Sequence, residues 1–112
     1  MSVKTYTGNE GTREQPNNQL WLGLIIRNTL TPNTVTVSTS AVPIPATPLS
    51  KRRILSIMNI STNVVYVGDS AVTTSNGFPL YPRAVIQINI EDDVVVYGIS
   101  TGSSELRILE GA

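Results

Sequence analysis

Neither cysteine nor histidine occurs among the 112 residues of this chain. Without histidine it lacks the commonest general base and the commonest metal ligand. Without cysteine it has no thiol nucleophile and no disulfide framework. A Ser-His-Asp arrangement and zinc sites of the usual kind are therefore excluded. An excess of charge of one sign is also missing: eight basic residues balance eight acidic ones. A general nucleic-acid binder needs a basic excess to neutralise phosphates, so no nucleic-acid partner is expected. No phosphate-binding glycine loop is present, because Gly98 and Gly102 have the wrong spacing and no lysine follows them. The start, Met1-Ser-Val-Lys-Thr5, carries no apolar stretch of the kind a signal peptide needs. The longest apolar run, residues 20–26, is far too short to span a bilayer. The expectation is synthesis in a cytosol, with no membrane partner and no cofactor.

What is abundant is β-branched. The chain has 12 Val, 11 Ile and 13 Thr against 9 Leu and 5 Ala. Such side chains lose rotamer freedom in helices and pack well on a pleated sheet, and seven prolines and eight glycines interrupt the chain. This composition points to an all-β fold of one domain.

Residues 1–19 are polar and without apolar period, which reads as a loop or extended arm. Leu20-Trp-Leu-Gly-Leu-Ile-Ile26 does not alternate and contains the sole Trp. It reads equally as a strand buried on both sides or as an anchor inserted into a partner, and residues 20–30 leave room for a short helix. Residues 28–33, with Pro32, read as a turn. Residues 34–42 alternate cleanly as a strand. Pro43, Pro45 and Pro48 then exclude a central strand and imply an edge crossing or a linker between sheets. Further strands are expected at 52–59, 64–67, 71–74, 84–90, 94–99 and 105–109. A hairpin turn is expected at 61–63, a turn allowing positive φ at Asn76-Gly77, and turns at 91–93 and 101–104. In the strand at 84–90, Ala84, Ile86, Ile88 and Ile90 share one face. Seven or eight short strands at this spacing define a β-sandwich or small barrel. We read a single antiparallel, jelly-roll-like β-sandwich over residues 34–112, preceded by an N-terminal arm over residues 1–33.

Few residues offer chemistry. Glu91 and Asp93 are two apart, the only carboxylate pair suited to glycoside hydrolysis. The plainer reading is a solvated acidic turn that guards strand ends against aggregation. Asp69, Asp92 and Asp93 supply oxygen of the kind Ca²⁺ favours, without the dense spacing of a dedicated loop. Lys51-Arg52-Arg53 is the one basic cluster. It reads either as a docking patch for an acidic surface or as the solvated start of a strand. Of the four tyrosines, Tyr66 and Tyr97 lie inside strands, whereas Tyr81 sits between two prolines and is the best candidate for a surface contact.

One set of segments carries a resemblance. Arg53-Ile-Leu-Ser-Ile-Met-Asn59, Val65-Tyr-Val-Gly68, Val72-Thr-Thr-Ser-Asn-Gly-Phe-Pro-Leu80, Val95-Val-Tyr-Gly-Ile99 and Leu106-Arg-Ile-Leu-Glu110 together resemble the small β-sandwich virion proteins of tailed bacteriophages. The similarity covers about residues 50–110. One departure is Pro82-Arg83, where the pattern tends to have Pro-Gly. Glycine permits a type II turn that arginine disfavours, so a differently shaped corner is expected there. The resemblance implies no catalytic residues. It implies a structural role in the virion, most simply as a capsid decoration (cement) protein at subunit junctions, a homotrimer bound to the major capsid protein. Leu20, Trp21, Leu22, Leu24 and Ile25 would then anchor the arm on a neighbour, with Lys51, Arg52, Arg53 and Tyr81 as further contacts. The alternatives are a tail, neck, baseplate or fibre component, a carbohydrate-binding module centred on Tyr81, and, last, a carboxylate enzyme.

Overall fold

The computed structural model describes residues 29–112 and, before them, only residues 9–10 and 12–13. The sandwich consists of eight strands: β1 (Leu30–Val37), β2 (Val42–Pro43), β3 (Ile54–Asn59), β4 (Val65–Gly68), β5 (Phe78–Leu80), β6 (Val85–Asn89), β7 (Tyr97–Ser100) and β8 (Ser104–Gly111). They form two four-stranded sheets of order β1-β8-β3-β6 and β2-β7-β4-β5. Every pairing within these sheets is antiparallel, and the described residues contain no helix. The first strand pairs with the last, the second with the seventh, the third with the sixth and the fourth with the fifth. The all-β, antiparallel architecture expected from composition is thus present.

Alternation decides which side chains enter the core. Along β3, Leu55 and Ile57 are buried while Ile54, Ser56 and Met58 are partly exposed. Along β8, Leu106 and Ile108 are buried between exposed Arg107 and Leu109. Val37, Ile44, Val65, Val67, Leu80 and Val96 complete the cluster, and Ala84, Ile86, Ile88 and Ile90 pack against it, as their shared face required. Burying each such Val, Leu or Ile stabilises the fold by roughly 1.5–3 kcal/mol before ordering costs. Gly98 is part of this packing: a Cβ there would stand 2.6 Å from Cδ1 of fully buried Ile44. All three strand prolines lie on edge strands, Pro32 in β1, Pro43 in β2 and Pro79 in β5, where a missing N–H leaves no gap in a ladder.

Five local expectations need correction. Residues 30–33 are not a turn. β1 starts at Leu30 and pairs with β8 over its whole length, and Thr29 and Ala112 exchange two backbone hydrogen bonds of 2.9 and 2.8 Å. An eight-residue ladder outweighs one turn-favouring proline on an edge. Residues 61–63 do not close a hairpin, because β3 and β4 belong to different sheets. The segment crosses the end of the sandwich, organised by the Asn59 side chain. Residues 71–74 form no strand. The Asp69 carboxylate accepts from Ala71 N at 2.9 Å and the Asn76 amide oxygen from Thr73 N at 2.8 Å, so local side-chain bonds replace ladder bonds. The turn at Asn76-Gly77 uses no positive φ at glycine. Gly77 is needed for space, since a Cβ would lie 2.6 Å from Tyr66 Cβ. The strand expected from residue 94 begins at Tyr97, because the Val94 carbonyl accepts from Arg52 instead of a neighbouring strand.

The Pro82-Arg83 corner also differs from expectation. Ala84 N donates to Tyr81 O at 2.9 Å, closing a four-residue turn, and Arg83 has φ 71°. A Pro followed by positive φ is the type II arrangement. Arginine is therefore held in a glycine-like conformation, with its own N–H donating to Asn59 O at 2.7 Å.

Candidate functional site

Of the residues expected to bind partners, Leu20, Trp21, Leu22, Leu24 and Ile25 lie outside the described residues. The other four can be placed. Lys51 is exposed, with φ 60°, and its backbone N–H donates to Asp92 Oδ2 at 2.8 Å. Arg53 is partly buried, and its main chain bonds Gly111 O and Ile90 N. Tyr81 is 60 % exposed.

Arg52 is not a surface group. It is 1 % exposed, and its guanidinium is consumed inside the protein. Nη1 donates to Glu110 Oε2 at 2.9 Å, Nη2 to the carbonyls of Val94 at 2.7 Å and Glu91 at 3.1 Å, and Nε to Ile90 O at 3.3 Å. Glu110, 3 % exposed, also accepts from Leu49 N at 3.1 Å through the same oxygen. A buried guanidinium persists only when paired and hydrogen-bonded, and a rigid fork of five donors suits four acceptors from two segments, the 90–94 loop and β8. The docking reading of Arg52 is therefore corrected: it ties the 90–94 loop and residue 49 to β8. The sequence did hold a signal for this. Ser104, Leu106, Ile108 and Glu110 fall on one face by alternation, so an inward carboxylate at 110 demanded a cation. Nothing local named Arg52 as its partner.

What remains of the basic cluster borders a cleft of ≈ 440 Å³ that is also lined by Asn89, Ile90, Glu91 and Asp92. Its rim carries both signs of charge and makes no strongly basic patch. Tyr81 is far from it. Arg53 immediately precedes β3 and Asn59 ends it, six residues apart, or roughly 20 Å at about 3.3 Å per residue. Tyr81 follows Leu80, whose carbonyl accepts from the Asn59 side chain. The fold thus separates the basic and aromatic candidates to opposite ends. Beside Tyr81 it places an aromatic that the sequence reading did not single out, Phe78, 62 % exposed on the edge strand β5.

Two of the acidic side chains hold backbone N–H groups, one across the fold and one within a turn. Asp92 accepts from Lys51 N and Asp69 from Ala71 N. Among the described residues no group of three acidic side chains is placed to hold a metal ion, so Asp69, Asp92 and Asp93 are not assembled into a Ca²⁺ site.

The end of the sandwich near Tyr81 is built from neutral polar groups. Asn59 is fully buried. Its Nδ2 donates to Asn63 O at 2.7 Å and Leu80 O at 2.9 Å, and its Oδ1 accepts from Ser61 N at 2.9 Å and Ser61 Oγ at 2.7 Å. Asn63 Nδ2 donates onward to Ser104 Oγ at 3.2 Å, which lies 2.9 Å from Ser100 Oγ. Every partner of Asn59 is satisfied within the chain, so this network is a structural joint.

No family model and no curated protein sequence matches the chain. The functional reading therefore rests on geometry and on side-chain chemistry.

Proposed function

We propose that this chain is a structural protein of a phage virion, a jelly-roll sandwich that acts as a capsid decoration (cement) protein. The observation that supports this most is the strand order. The chain is folded as one long antiparallel ribbon rolled into two facing sheets, with strand pairs 1:8, 2:7, 3:6 and 4:5, and jelly rolls of this kind recur in viral capsid and lectin domains. The supply of reactive groups agrees with a mechanical role: no His or Cys exists, and the buried ionisable pair Arg52–Glu110 faces inward with its partners in place. In this reading the arm before β1, shortened to residues 1–28 because Thr29 and Leu30–Asn33 pair within the sandwich, reaches across a neighbouring subunit, Leu20, Trp21, Leu22, Leu24 and Ile25 provide apolar burial, and a homotrimer sits on a symmetry axis of the capsid. Each large side chain buried there contributes on the order of 2 kcal/mol before ordering costs.

The test is co-sedimentation of the purified chain with expanded capsids. Binding at a fixed ratio to the major capsid protein, lost in Trp21→Glu/Leu24→Glu, is the expected result. Co-purification with tails or baseplates instead would move the protein to that part of the virion. A second reading, glycan recognition, draws on the exposed pair Phe78 and Tyr81 at one corner of the sandwich. It requires glycan-array binding that disappears in Tyr81→Ala.

A further inference from the structure

The two sheets present four edge strands, and three of them resist further pairing. Proline lies in β1 (Pro32), β2 (Pro43) and β5 (Pro79). Proline on an edge strand discourages pairing with another chain. On β1 the Thr34 N–H is also taken, by Asn33 Oδ1 at 2.8 Å.

β6 has neither device. Its five residues, Val85–Asn89, include no proline and no charge, and among the described residues no strand lies on its far side. Its open groups can be placed. Asn59 N donates to Ala84 O and Ile90 N to Arg53 O, each at 3.1 Å, so the even-numbered residues bond β3. Bonding direction alternates along an antiparallel ladder. Val85, Gln87 and Asn89 therefore turn their N–H and C=O groups to the open edge, and all three are exposed.

This edge is complementary to itself. Laid antiparallel about a two-fold axis through Gln87, two copies bring Val85 opposite Asn89 and Gln87 opposite Gln87, so that the residues with open groups meet as hydrogen-bonded pairs. On the inner side Ile86 comes opposite Ile88. Both are only partly buried beside the core, and Ile88 also lines an open apolar groove of ≈ 290 Å³ with Val67, Val94 and Val96. The charges at the two ends match as well. Arg83 and Glu91 stand four residues before and four after Gln87, and both are exposed. The same register sets Arg83 of each copy opposite Glu91 of the other.

We propose that β6 is a pairing edge for a second copy of this chain, joined antiparallel about Gln87. Such an isologous two-fold contact goes beyond the proposed function and is separate from any threefold one. One short edge covers much less than the roughly 800 Å² per partner of a stable complex, so the contact is transient in dilute solution and forms where copies are concentrated.

The chain has no native cysteine, so oxidative cross-linking of full-length single-cysteine variants, read on a non-reducing gel, tests the contact. Residues of a hydrogen-bonded pair have Cα atoms about 5.5 Å apart, within the roughly 4.4–6.8 Å that a disulfide spans. Gln87→Cys should form covalent dimers at least on the order of tenfold faster than Thr34→Cys on the closed edge β1, reflecting the effective concentration of a docked partner. Val85→Cys alone should stay slow, because the two copies of residue 85 stand roughly 13 Å apart along the strands at about 3.3 Å per residue. Val85→Cys mixed with Asn89→Cys should link quickly. In the Gln87→Cys background, Glu91→Arg should slow the reaction about two- to tenfold at low salt, and adding Arg83→Glu should restore it. Any one of three results overturns the pairing: Gln87→Cys no faster than Thr34→Cys, Val85→Cys alone as fast as Gln87→Cys, or a rate that Glu91→Arg leaves unchanged.

Discussion

The two ends of the sandwich solve the same problem with different chemistry. At one end the 90–94 loop and the chain near residue 49 are held to β8 by a buried charge pair, Arg52–Glu110. At the other, the crossing between sheets is held by an uncharged amide, Asn59, and the hydroxyls of Ser61, Ser100 and Ser104. In both, a side chain stands in for backbone partners where strands stop. The difference lies in what removal leaves behind. Removing one member of the ion pair strands a charge in the interior, which typically costs 3–5 kcal/mol. Removing an amide strands neutral groups at about 1–3 kcal/mol each. Loss of one partner therefore costs more at the charged end, and the neutral end spreads smaller costs over several groups.

That contrast can be broken experimentally. The largest effect should come from Glu110→Ala or Arg52→Ala, each losing about 3–5 kcal/mol in urea denaturation. The double variant Arg52→Met/Glu110→Leu should recover much of the loss, because apolar groups of similar volume often replace a buried pair without penalty. If single and double variants were equally unstable, the pair would be doing more than neutralising itself. Next is Asn59→Ala, expected to lose about 2–4 kcal/mol as Asn63 O, Leu80 O and the Ser61 donors lose their partner. A loss below that of an ordinary surface substitution would mean water replaces the amide freely. Ser104→Ala should lose about 1 kcal/mol, since its hydroxyl bonds Ser100, Gly102 O and Asn63. The smallest effect has the opposite sign. Arg83→Gly relieves a left-handed residue and should raise stability by up to about 1 kcal/mol, seen as a higher urea midpoint at unchanged slope. A lower midpoint would mean the arginine side chain makes a contact worth more than the strain.

Much of the fold was legible because period-2 alternation is local. Ala84, Ile86, Ile88 and Ile90 share one face by spacing alone, and that face packs against the core. The candidate site was less legible. Lys51, Arg52 and Arg53 read as one patch, yet one of the three is buried, because whether a charge is solvated depends on a carboxylate 58 residues away. Phe78 was passed over because its exposure follows from β5 being a three-residue edge strand, which sequence spacing does not reveal. Similarly, the open edge of β6 exists only once Asn59 and Arg53 bond Ala84 and Ile90, which turns the backbone groups of Val85, Gln87 and Asn89 away from β3.

Composition and periodicity by themselves determined that this chain forms strands, where most of them turn, which side chains are apolar enough to bury, and that its reactive groups are few. Those properties depend on neighbours two to four residues apart. Tertiary structure alone decided which strands became partners, that residues 60–64 cross between sheets, that Arg52 is a buried strut, and that Arg83 occupies a conformation made for glycine. Each of these is fixed by groups tens of residues distant, where the energy of a completed ladder or a satisfied buried charge exceeds the preference of any single residue.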